Sequence, residues 1–153
     1  MPKVDISKLE TRVGSPNYPP AFKPAYAGRH KTALGNAAGL TQFGVSLTKL
    51  EPGAATSIRH WHEQEDEFVY ILQGECVLVE DEGETVLKAG DCAGWKASVP
   101  NGHCIVNKSN ADVLLLEIGT RASNERSHYP GSDLKFERDG TILRVLHKDG
   151  TPY

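Results

Sequence analysis

His60 and His62 stand one residue apart in an extended stretch. Side chains alternate across a β-strand, so imidazoles at i and i+2 leave the same face. Glu67 can return to that face if the chain turns through Glu63-Gln64-Glu65-Asp66, and His103 is a further imidazole downstream. Three neutral imidazoles and one carboxylate suit a divalent transition metal: Fe, Mn, Ni, Co or Zn. A six-coordinate ion held by His60, His62, Glu67 and His103 would keep two positions for water or a bidentate substrate. An isolated H-x-H is more often surface or core histidine; Glu67, Gly74 and His103 together turn the balance toward a metal centre. Asn107 lies two pleats on from His103, faces the same way, and is read as an orienter of a ligand.

Neighbouring residues take plainer readings. Glu63, Glu65 and Asp66 read as a solvated acidic turn, and Trp61 and Trp95 as packing residues. Arg59 and Cys104 have the opposite strand parity to the ligands. His30, His128 and His147 are isolated and read as structural. Cys76, Cys92 and Cys104 are odd in number, lack C-x-x-C spacing, and read as buried free thiols.

Strands must position these residues. The chain has 153 residues and a net charge of −3, a size for one domain with a substantial core. Scattered basic residues form no patch, which argues against nucleic acid and anionic membranes as partners. No stretch resembles a signal peptide or approaches a membrane span, so a cytoplasmic protein is expected. Residues 1–41 form a Pro/Gly/aromatic-rich arm. Pro16, Pro19, Pro20 and Pro24 forbid a long helix or a central strand, while Tyr18, Phe22 and Tyr26 argue against disorder. From residue 42 short β-like runs alternate with turn residues and show no helical periodicity, so an all-β fold is predicted. The core is assigned to residues 42–120. Residues 121–153 form a C-terminal segment whose last hairpin, Leu134–Glu137 with Ile142–Leu146, packs on it.

If His60, His62, Glu67, Val69 and Ile71 face inward, then Trp61, Phe68, Tyr70 and Leu72 face outward. The run from Val113 to Ile118 is likewise apolar on both faces. A strand apolar on both faces needs cover on both, which predicts the arm, a second subunit, or both as that cover, and hence a homodimer.

Pro52-Gly53, His60-x-His62, Glu67, Gly74, Gly90-Asp91, His103 and Asn107 together resemble the cupin superfamily over residues 42–120. That family's first motif runs H-x-H, a glutamate three or four residues on, six residues, then glycine. Four residues separate His62 from Glu67, and six separate Glu67 from Gly74. The second motif runs glycine, five residues, Pro-x-Gly, two residues, histidine, three residues, asparagine. Counted from Gly90, Lys96 and Ser98 occupy the Pro and Gly positions, and Val99-Pro100-Asn101-Gly102 lengthens the turn before His103. The resemblance implies a jelly-roll β-barrel (a double-stranded β-helix) with the metal inside.

The fold hosts many chemistries. The leading expectation is a metal dioxygenase acting on a small molecule, with Glu67 or a nearby carboxylate taking the substrate proton. Redox-neutral isomerase, epimerase or lyase chemistry on a hydroxy-carbonyl compound or sugar phosphate is the alternative, and a non-catalytic ligand-binding module is the third. A phosphorylated substrate would need cations near the pocket. Arg29, Lys96 and Arg121 are the candidates by composition.

Overall fold

The computed structural model describes residues 3–15 and 17–153, so Pro16 of the arm lies outside the described residues. Among the described residues thirteen strands follow in chain order. They are β1 (Thr11–Val13), β2 (Arg29–Thr32), β3 (Phe43–Leu50), β4 (Trp61–His62), β5 (Glu67–Gln73), β6 (Glu75–Glu80) and β7 (Gly83–Lys88). Then come β8 (Cys92–Trp95), β9 (Cys104–Val106), β10 (Val113–Thr120), β11 (Asn124–His128), β12 (Lys135–Asp139) and β13 (Ile142–Leu146). Their order in three antiparallel sheets is β1-β2-β3-β10-β5-β8, β13-β12-β11-β4 and β7-β6-β9. This is the jelly-roll architecture that the strand pattern and the family resemblance implied. Among the described residues no helix is long and apolar enough to cross a membrane.

Alternation decides which residues enter the core. Along β5, Val69 and Ile71 are buried while Phe68, Tyr70 and Leu72 are each about 40% exposed. Val113 and Leu115 of β10 are fully buried, and Leu115 stands opposite Ile71. They join Leu50, Cys76, Leu78, Leu87 and Ile105 in a core between the six- and three-stranded sheets. A second core gathers Tyr18 and Tyr26 of the arm with Tyr129 and Leu134, against Phe22, Ile58 and Phe136.

The arm therefore joins its own chain: β2 pairs with β3, and the aromatic run Pro20–Tyr26 forms a 3-10 helix over the second core. Four strands went unseen in the sequence, β1, β2, β8 and β11. They are short or polar, so alternation had too few residues to register. The stretch before the histidine pair is mostly bend; His60 makes an isolated bridge and β4 is only Trp61–His62. Cys76 and Cys104 are buried, but Cys92 is exposed, because it pairs with Tyr70 on the outer face of the large sheet.

Gly74 and Ser98 show why the motif positions matter. Gly74 ends β5 at φ +87°, and a Cβ there would lie 2.9 Å from the Asp112 carbonyl oxygen. Ser98 occupies the residue at which the second motif has glycine, and it takes φ +64°. Left-handed backbone costs a non-glycine residue roughly 1–2 kcal/mol. Ser98 offsets it by donating from Oγ to the Glu63 carbonyl (2.6 Å) and from its N–H to the His62 carbonyl (2.9 Å). The lengthened turn is thus tied to the strand that carries His62.

Candidate metal centre

Backbone pairing sets the constellation. His60 and His103 form an antiparallel bridge, His60 N–H to the His103 carbonyl at 3.2 Å and the reverse at 2.9 Å. Directly opposite residues share a face, so the two rings emerge side by side, their centroids 5.3 Å apart. His62 sits on β4 opposite Ser127, and Glu67 opens β5 between Trp95 and Gly119. The four predicted ligands come together. Oε2 of Glu67 lies 2.7 Å from His103 Nε2, 3.5 Å from His62 Nε2 and 3.8 Å from His60 Nε2. The donor atoms of His60, His62 and Glu67 all lie within 4.8 Å of one another, a spacing that one ion could bridge.

The other ring nitrogens are occupied in the way a metal site requires. His60 Nδ1 lies 2.9 Å from the Ile58 carbonyl and His103 Nδ1 3.0 Å from the Asn101 carbonyl. A carbonyl only accepts, so each Nδ1 carries a hydrogen and Nε2 is the ring nitrogen that faces the common point. His62 Nδ1 faces Ser127 Oγ at 3.2 Å and Glu125 Oε1 at 3.6 Å. The donor set and its fixed tautomers fit a divalent transition metal.

Electrostatics separates the groups. Burial, reinforced by His62 and His103, pushes the His60 pKa down to about 4 despite nearby Glu67. Burial would lower His62 as well, but its bonds to Glu125 and Glu67 outweigh it and pull the ring up to about 10. Burial alone would raise Glu67; the imidazoles of His103 and His62 instead hold its carboxyl well below the usual range. A proton on His62 and an anion at Glu67 are therefore favoured together, and a metal entering the site must displace that proton.

Trp95 forms a wall, stacked on His103 at 3.9 Å and 4°, with its Nε1–H donating to Glu80 Oε1 at 2.8 Å. Tyr129 stacks on His60 from the other side at 5.4 Å. Trp61 instead stacks on His128, and Arg59 pairs with Asp81. Asn107 requires a correction as a ligand orienter. It is fully buried, but its amide bonds Leu50, Ala111 and Ser109, so it closes the 107–113 loop and touches no ligand.

A cavity of about 570 Å³ opens over the constellation, lined by His60, Glu67, Trp95 and His103 and also by Glu65, Glu117 and four cations. Those are Arg29, Lys31, Arg121 and Arg138; Lys96 is exposed and does not line it. Sequence reasoning missed Glu117 and Glu125. Glu117 is the single charge in the apolar run Val113–Ile118, a signal that could have found it. Glu125 carried none, since β11 is polar at most of its positions. Its carboxylate is buried and accepts the N–H groups of Glu63 and Arg126 on Oε1 and of Gln64 on Oε2, at 2.8–2.9 Å. It thereby pins the turn between His62 and Glu67. Glu65 in that turn is not simply solvated: it pairs with Arg138 and accepts the Ala122 N–H.

Three histidines and a glutamate thus converge inside an antiparallel jelly roll, and His60, His62 and Glu67 are spaced to hold an ion. The chain belongs to the cupin superfamily: a family model described as Cupin domain matches residues 46–119, and a full-length relative of known structure agrees. That relative is a sugar phosphate isomerase of the cupin superfamily from Silicibacter pomeroyi, 43% identical, covering 99% of this chain and 96% of its own, with a TM-score of 0.95. A protein of Acidithiobacillus ferrooxidans, provisionally assigned as a sugar phosphate isomerase, is 26% identical over 95% of this chain and 88% of its own, with a TM-score of 0.80. A Thermotoga maritima protein at 24% identity covers 78% of this chain and 99% of its own, and its TM-score of 0.63 shows the shared fold. Among curated proteins none matches.

Proposed function

We propose that this protein is a metal-dependent isomerase of a small phosphorylated hydroxy-carbonyl sugar. The observation that carries the reading is the likeness to the Silicibacter pomeroyi sugar phosphate isomerase, which extends over 99% of this chain. The cavity chemistry is consistent with it. His60, His62, His103 and Glu67 Oε2 would hold a divalent cation, which when bound supplies Lewis-acid polarisation of a carbonyl and its neighbouring hydroxyl.

The protein's own groups have the remaining tasks. Moving a proton between adjacent carbons needs a base at the substrate's flank. Glu67 is held as a carboxylate, and its hydrogen bond from His103 uses Oε2, so Oε1 is the atom we assign to the proton transfer. Trp95 and Tyr129, stacked on His103 and His60, keep the two rings in position.

The dioxygenase reading uses the same ligands, so one set of measurements separates them. The protein loaded in turn with Fe, Mn, Co, Ni and Zn is incubated with aldose–ketose phosphate pairs in deuterium oxide and followed by proton NMR. Interconversion with deuterium exchange beside the carbonyl supports the isomerase. Oxygen consumption with an iron-loaded sample and no exchange on any pair would overturn it in favour of the dioxygenase. Binding without turnover would leave the ligand-binding module.

A further inference from the structure

Arg29 and Lys31 stand alternately on β2, and strand pairing sends both to the inner face, opposite Leu50 and Thr48. There they meet Glu117 on β10. Lys31 Nζ is 2.6 Å from Glu117 Oε2, Thr48 Oγ1 donates to the same oxygen at 3.0 Å, and Arg29 Nη2 is 3.8 Å away. Two cations thus face one carboxylate inside the cavity that holds His60, Glu67 and His103.

The guanidinium of Arg29 is poorly satisfied. Its Nε is buried and has no hydrogen-bond partner among the described residues. Nη1 reaches only the Gly14 carbonyl, at a long 3.4 Å, and Nη2 makes only the 3.8 Å ion pair. A buried donor without an acceptor costs free energy and is rare in native structures. Guanidinium is also the side chain best matched in shape and charge to a phosphate. Arg29 and Lys31 lie three strands from Glu67 across the sheet, roughly 14 Å at the usual strand spacing, and Lys31 stands level with Ile71, four residues or roughly 13 Å further along. Lys31 reaches back along the sheet to Glu117, which lies two residues from Gly119, the residue opposite Glu67.

We propose that Arg29 and Lys31 seat the phosphate monoester of the substrate, with Glu117 holding the two cations in place until the phosphate takes them over. The assignment rests on the isomerase reading for the sugar attached to that phosphate. The seat stands three strands across the sheet from Glu67, so it sets which end of the substrate faces Glu67. Arg121 and Arg138 also line the cavity, but Arg121 already donates to the Leu40 carbonyl at 3.0 Å and to Asn36 Oδ1, and Arg138 pairs with Glu65.

The test is calorimetric titration of the purified protein with inorganic phosphate, comparing wild type, Arg29→Gln, Glu117→Gln and Arg121→Gln. Arg29→Gln is expected to weaken phosphate binding at least about tenfold, and Glu117→Gln, which removes the competing anion, to strengthen it several-fold. Opposite signs at two neighbouring, partly buried residues are not what general loss of structure produces. Melting curves identify a variant that has unfolded, and Lys31→Gln, expected to weaken binding as Arg29→Gln does, then replaces Arg29→Gln. Unchanged affinity in Arg29→Gln and Lys31→Gln, weaker binding in Glu117→Gln, or loss confined to Arg121→Gln would each overturn the assignment. Because binding is read directly, failure to isomerise any sugar phosphate would count against the enzyme reading alone.

Discussion

Glu125→Gln offers a sharp test of how the fold holds the turn between His62 and Glu67. The substitution keeps the shape of the side chain and removes its charge. With the amide oxygen kept at the Oε1 position, the bonds from Glu63 N–H and Arg126 N–H survive as neutral ones. Each falls from the charge-assisted range to the ordinary one, a loss of about 1 kcal/mol. The amide nitrogen then faces the N–H of Gln64, donor against donor, where Oε2 accepted at 2.9 Å. A buried donor left unsatisfied adds about 1–3 kcal/mol. The sum is about 3–5 kcal/mol, which lowers the melting temperature of a chain this size by roughly 10–15 °C. Circular dichroism melts measure it, and a shift under about 2 °C would refute the reasoning.

The same variant has a pH signature. Burial would raise the Glu125 pKa, but His62 and the N–H groups of Glu63 and Gln64 outweigh it and hold the carboxyl below its ordinary 4.5. A group depressed on folding contributes stability that is present above its unfolded value and lost as pH falls through its folded value. The gap between wild type and Glu125→Gln should therefore be full near neutrality and shrink progressively below about pH 4.5. A gap that widens on acidification would contradict the sign.

Three other outcomes are expected. His62→Ala and His103→Ala should each sharply lower metal content by elemental analysis, since losing one ligand of four weakens the whole chelate; full occupancy in both would mean that the site is wrongly assigned. Burial pushes the Cys76 and Cys104 thiols up to about 11, so iodoacetamide near pH 8 should label Cys92 first by mass spectrometry; equal rates at all three would refute the burial pattern. The outer face of the large sheet exposes Phe43, Phe68, Tyr70 and Leu72, which a second copy of the chain would cover. Light scattering is therefore expected to show a dimer that Tyr70→Glu converts to monomer, and a monodisperse wild-type monomer would overturn that expectation.

Local pattern carried a good part of this molecule. Alternation in Phe68–Leu72 is a property of the strand itself, so inward Val69 and Ile71 and outward Tyr70 were legible without a fold. The same parity put His60 and His62 on one side, and the spacing to Glu67 and Gly74 named the family. Ser98 in left-handed backbone explains how the irregular turn before His103 closes, a conformation that residue type alone argued against.

What the chain order could not contain was which residues meet across it. The pairing of β11 with β4 brings Glu125 to His62 from 63 residues away, and the pairing of β2 with β3 turns Arg29 and Lys31 inward toward Glu117. Asn107 shows the converse: the right parity, but hydrogen bonds drawn to a neighbouring loop. Side-chain direction follows from backbone period and is written locally. Partners and desolvation follow from strand register between distant segments, and only the folded chain decides them.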